Sequence, residues 1–150
     1  MLQRYVRASG LFLLIIIIEP THALDDDPEL GIFRDYRCTI DRVSVADGDN
    51  GPIYQEAHKY YVGKQFSVER KSGVMSGILK NSFVTRPQVI DMGGVKQNSY
   101  KVVQAMKINE GAGYGTNISA LNISEFVESP KKPFVFLWND TVWFGQCEHE

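Results

Sequence analysis

The chain has 150 residues, a formal net charge of −2, 43% hydrophobic and 23% charged residues, and 2 Cys. These are the values of one ordinary globular domain. The charge balance lacks the Lys and Arg excess that a phosphate backbone attracts, so nucleic acid is not an expected partner, and two cysteines cannot form a metal ribbon.

Residues 1–23 read as a signal peptide. Arg4 and Arg7 form a positive lead, Leu11 to Ile18 are continuously apolar, and Thr21-His22-Ala23 ends the segment at a small residue where cleavage is expected. The apolar run is well short of the roughly twenty residues a spanning helix needs, so no transmembrane span is expected in the mature chain. The expected localisation is therefore secreted or periplasmic. Residues 24–33, with Asp25-Asp26-Asp27-Pro28, read as a flexible acidic lead-in, and 34–150 as a single β domain.

The domain opens with a period of two. Tyr36, Cys38 and Ile40 alternate with Arg37, Thr39 and Asp41, and the apolar register then shifts to Val43 and Val45, which predicts a bulge near Asp41 or Arg42. Ala46 to Pro52 reads as a loop. Tyr54, Ala57 and Tyr61 lie at near-helical spacing, which suggests a short helix over Ile53 to Val62. From Gln65 the hairpin signals return: Phe66 and Val68 alternate with Ser67 and Glu69, Lys71-Ser72-Gly73 supplies a turn, and Val74 to Leu79 runs back. Further strands are expected at Gln88 to Met92, Tyr100 to Ile108 and Ile118 to Phe126, separated by Gly93-Gly94, Gln97-Asn98 and the glycines of 111–115. The pattern predicts an all-β fold, a single antiparallel barrel or sandwich of seven to eight strands with one short helix.

Phe134 to Trp138 and Thr141 to Cys147 flank Asn139-Asp140, a two-residue turn. In that register Phe136 opposes Trp143 and Trp138 opposes Thr141. Phe134, Phe136, Trp138, Trp143 and Cys147 then share one face, and Val135, Leu137, Val142 and Phe144 share the other. A half-solvated antiparallel strand has one polar side. Either the hairpin is covered on both faces, or Val135, Leu137, Val142 and Phe144 form a binding patch for a partner. Phe136, Trp138 and Trp143 are the expected lining of any ligand pocket.

Cys38 and Cys147 are expected to pair, since the count is even and the compartment oxidising; a loop of about 110 residues gains about 4 to 5 kcal/mol from closure on the chain-entropy model. Catalytic constellations are sparse. Gly111-Ala112-Gly113-Tyr114-Gly115 has the wrong glycine spacing for a dinucleotide loop. Asp47 to Gly51 begins like a calcium loop, but Gly51 and His58 occupy positions that need oxygen ligands. His58 and His149 are the histidines left after processing, with His149 in an end expected to fray, so a zinc site or a Ser-His-Asp triad has little to build on. Glu125 and Glu128 read as solvated carboxylates rather than a glycosidase pair, and Lys131-Lys132-Pro133 as an edge-protecting lead-in to the last hairpin. Asn117, Asn122 and Asn139 head acceptor sequons.

Two resemblances can be placed on these residues. Phe66-Ser67-Val68-Glu69-Arg70-Lys71-Ser72-Gly73-Val74-Met75-Ser76-Gly77, with Lys132 to Phe136 and Phe144 to Cys147, resembles small exported bacterial proteins of uncharacterised function. Tyr36-Arg37-Cys38 and the late Cys147 are similar to the periplasmic C-type lysozyme inhibitors. That similarity implies a compact antiparallel barrel and a loop with a Ser-Gly-x-x-Tyr pattern inserted into the lysozyme cleft, here Ser76 and Gly77 with Lys80 at the tyrosine position.

The expected function is an exported non-catalytic binding protein without cofactor or metal, of inhibitor or carrier type, taking a protein or a small apolar ligand. The alternative is an interaction subunit of an envelope assembly, in which case an oligomer is expected. An enzyme is the third reading; a cleft gathering His58 with two carboxylates would favour it.

Overall fold

A computed structural model describes residues 34–81, 86–94, 98–110 and 115–150. The expected leader, the acidic lead-in and most of the glycine-rich run at 111–115 lie outside the described residues. The strands are β1 (Tyr36–Val45), β2 (Gln65–Val68), β3 (Met75–Gly77), β4 (Gln88–Gly94), β5 (Asn98–Met106), β6 (Asn117–Ile123), β7 (Lys132–Trp138) and β8 (Thr141–His149), with one helix, α1 (Pro52–Tyr61). All strand pairs are antiparallel, in the order β3-β2-β1-β8-β7-β6-β5-β4, and form one curled half-barrel sheet. The fold is thus all-β with eight strands and a short helix, and its core comes from curling one sheet rather than packing two.

β1 anchors the sheet between β2 and β8. Its alternation buries Tyr36, Cys38 and Ile40, and the pairing with β8 shifts between Ile40 and Arg42. The extra residue is Asp41, and it returns Val43 and Val45 to the inner face. Without that bulge the period of two would turn both valines outward. Phe66 and Val68 of β2, Tyr100 and Val102 of β5, Leu121 and Ile123 of β6, and Phe134, Phe136, Trp143 and Cys147 of the last hairpin complete the core. Cys38 pairs directly with Cys147 across β1 and β8, and the two form a disulfide.

α1 begins with Pro52 just after Gly51, a position where the missing N–H costs nothing. The chain leaves it through Val62, whose N–H bonds to the His58 carbonyl, and Gly63 in the left-handed region at φ 78°. Tyr54, Ala57 and Tyr61 pack on the core, and the Tyr61 ring meets Trp143 edge-on at 5.1 Å.

β3 and β4 are the sheet's edges and do not pair with each other. Side chains join the two sides instead. Arg70, after β2, donates from Nε and Nη2 to the Met92 carbonyl of β4 at 3.1 and 2.7 Å, and the Tyr100 hydroxyl donates to the Arg70 carbonyl at 2.9 Å.

Several boundaries differ from the sequence reading. Gly93 and Gly94 belong to β4 and Asn98 to β5, where turns were expected; Gly93 holds φ 69° within the strand. β7 is not an edge, so Lys132 does not guard one. Its Nζ donates to the carbonyls of Glu125 and Val127 and ties down the β6–β7 loop. His149 is held in β8 opposite Tyr36 rather than frayed.

Candidate functional site

The last hairpin has the expected register, with Phe136 opposite Trp143 and Trp138 opposite Thr141. Asn139 takes the left-handed conformation at φ 51°. Its side chain carbonyl accepts the Ile118 N–H at 3.0 Å, while its side chain amide and the Trp138 indole N–H both donate to Asn117 Oδ1, at 2.9 and 3.1 Å. The hairpin tip is therefore bolted to the start of β6 and the Trp138 ring is fixed. Two of the three sequon asparagines take part in this lock, Asn117 through its side chain carbonyl and Asn139 through both its carbonyl and its amide.

Phe136 and Trp143 are core residues, and the space beside Phe136 and Trp138, bounded also by Leu79, Asn81, Gln104 and Ser119, is only about 10 Å³. That is room for about one water molecule. An open groove of about 490 Å³ lies instead outside, between α1 and the hairpin tip. Helical spacing aligns Ile53, Glu56, Ala57 and Tyr60 along one wall, and Trp138, Asp140, Thr141 and Trp143 supply the other. Tyr60 and Tyr61 meet edge-on at 4.9 Å, Tyr61 meets Trp143 at 5.1 Å, and Trp143 and Trp138 are 6.5 Å apart, so four rings run continuously around the groove. Burial, with a smaller contribution from Tyr60, pushes the Tyr61 phenol above its ordinary value and keeps it neutral. Trp138 and Trp143 are thus brought to the groove, and Phe136 is not. The groove's Tyr60 wall was missed because Tyr54, Ala57 and Tyr61, the core-facing helical positions, carried the sequence argument.

On the outer face of the hairpin, Val135 is 40% exposed and Leu137, Val142 and Phe144 are half-buried. Cover on both sides is therefore not what the fold provides: the curl buries one face only. Register extends this apolar surface across four strands as Val142, Leu137, Ala120 and Val103 in one row. The Arg42 guanidinium lies over the Phe144 ring at 3.8 Å.

A third cluster sits inside the sheet. Glu125 is 6% exposed, against the expectation of a solvated carboxylate, while Glu128 is exposed. Its carboxylate accepts the Tyr36 hydroxyl, lies 3.6 Å from Arg70 Nη1 and 3.3 Å from His149 Nε2. Burial opposes its charge, yet the hydrogen bonds from His149 and Tyr36 and the charge of Arg70 hold its pKa below the ordinary value. Burial and that same hydrogen bond push the Tyr36 phenol upward. The signal for this cluster was Tyr36 itself: an inward-facing phenol in register with Cys38 and Ile40 requires a polar partner. His58 stays on α1 against Tyr54, at 5.7 Å between ring centroids, and is not brought to Glu125. Ser76 and Gly77 are exposed on edge strand β3, opposite Ser67 and Phe66, and Lys80 is exposed beyond them.

Comparison of the chain with family models, curated proteins and solved structures finds no match. Among the described residues no helix is long and apolar enough to cross a membrane.

Proposed function

We propose that this chain is an exported, non-catalytic binding protein, of inhibitor or carrier type, and that its ligand seat is the groove between α1 and the β7–β8 turn. The observation that carries the reading is an open, aromatic-walled groove whose tryptophan is locked in place. Small-ligand sites are concave, mostly apolar and preformed, with volumes of about 300 to 1,000 Å³. The Cys38–Cys147 disulfide supports an oxidising compartment, and the leader expected at residues 1–23 supports export. The inhibitor form draws on the similarity of Tyr36, Cys38 and Cys147 to the lysozyme inhibitors. A fragment library screened by amide chemical shifts of the oxidised protein tests the seat. Hits should perturb Ile53, Tyr60, Trp138 and Thr141; hits confined to other surfaces would overturn the assignment.

A second reading, an interaction subunit, is favoured by the accessible row of Val142, Leu137, Ala120 and Val103 with Val135 and Phe144 beside it. Sedimentation of wild type against Leu137→Asp and Phe144→Asp distinguishes it. Self-association abolished by both substitutions would move the function to the outer face.

A further inference from the structure

Among the residues lining the α1–hairpin groove, both charged side chains are acidic. Glu56 stands on the helix wall and Asp140 on the hairpin wall, and no lysine or arginine is among the described lining residues. Both carboxylates are on exposed residues, and neither is needed to complete the core. Lys59, although on α1, falls outside the lining. The exposed Tyr60 ring and the half-buried Tyr61 and Trp138 rings border the same space, and aromatic faces attract cations.

We infer that the groove is a seat for an organic cation, and specifically for an alkylammonium head group. This rests on the groove being the ligand seat and names what it takes. Ring geometry separates the possible cations. A planar guanidinium stacks best in a slot between parallel faces. Here Tyr60 and Tyr61 stand at 84°, Tyr61 and Trp143 at 73°, and Trp138 and Trp143 at 46°, so these neighbouring rings are not parallel and do not make such a slot. A compact, roughly spherical ammonium needs no parallel faces, and aromatic rings are how such ions are held. Elsewhere the protein uses the same attraction internally, with Arg42 over Phe144. At the groove the corresponding cation comes from outside. The Trp138 indole N–H, already bonded to Asn117, is not needed to receive it.

The test is a calorimetric titration of the oxidised full chain with choline and, in parallel, with 3,3-dimethylbutan-1-ol, which has the same shape with carbon in place of the charged nitrogen. Choline should bind about tenfold more tightly than the alcohol. That advantage should disappear in the Glu56→Gln/Asp140→Asn double variant, and Tyr60→Ala should weaken choline, with circular dichroism confirming the fold of both variants. Equal affinity for choline and the alcohol, lost in Tyr60→Ala, would overturn the cation inference and leave the groove as a ligand seat. Choline binding unaffected by either variant would place the seat elsewhere and overturn the inference. Binding of neither compound at millimolar concentration would overturn the inference, while fragment hits at the groove would still uphold the broader reading.

Discussion

Gly145 is the residue with the least room in the sheet. A Cβ there would overlap the Thr39 carbonyl oxygen of β1 and lie 2.8 Å from Cε1 of Phe134, whose ring occupies the missing side chain's place. Both neighbours are fixed, one by the ladder and the other by the core, so Gly145→Ala should cost about 3 kcal/mol, read as a lower urea midpoint. Glu125 poses the opposite problem, a charge that must keep its partners. Removing its charge as Glu125→Gln takes a carboxylate from beside the buried Arg70 guanidinium and the Tyr36 hydroxyl, and should cost about 3 kcal/mol at neutral pH. The pH dependence follows from the direction of its shift. Its folded pKa lies below the ordinary 4.5, so its contribution is complete above that value and is lost as pH falls through the folded value. Wild-type stability measured by urea titration should therefore decline below about pH 4.5, and the Glu125→Gln profile should be flatter in that window.

The last hairpin is an element with one face in the core and one in water, and substitutions on adjacent residues separate them. Val135→Asp should change stability by less than about 1 kcal/mol, whereas Phe136→Ala, one position along β7, should cost about 3 to 5 kcal/mol. Similar losses at both positions would mean the outer face is covered. This hairpin was readable in advance because a two-residue turn fixes register, and register fixes which residues share a face. The β1 bulge was readable for a related reason: one step out of phase in an alternating strand has few other causes. The exposure of the outer face was not readable, since a row such as Val142, Leu137, Ala120 and Val103 assembles from four strands whose mutual register no local pattern encodes. The burial of Glu125 was hidden for the same cause. Its partners come from positions 36, 70 and 149, and a carboxylate in a loop looks alike whether it meets water or an arginine.

At the scale of the whole molecule, the curl depends on joining distant parts of the chain. The disulfide links residues 109 apart in sequence at the centre of the sheet, so reducing it should lower stability by about 4 kcal/mol, measured as the shift in urea unfolding between oxidised and reduced protein. A much smaller shift would mean that residual structure already restrains the reduced unfolded chain. The half-barrel itself was legible as an antiparallel all-β fold, but its edges were not: β3 and β4 became the open pair because β1 chose β8 as its second neighbour. That choice also sets an order of events. β1 precedes β8 in the chain, so β1–β2–β3 and much of β4–β7 can form before residues 141–149, the strand that pairs with both β1 and β7, appear. The sheet's middle is the last part of it to exist, and the slow, non-local search that makes it waits for β8.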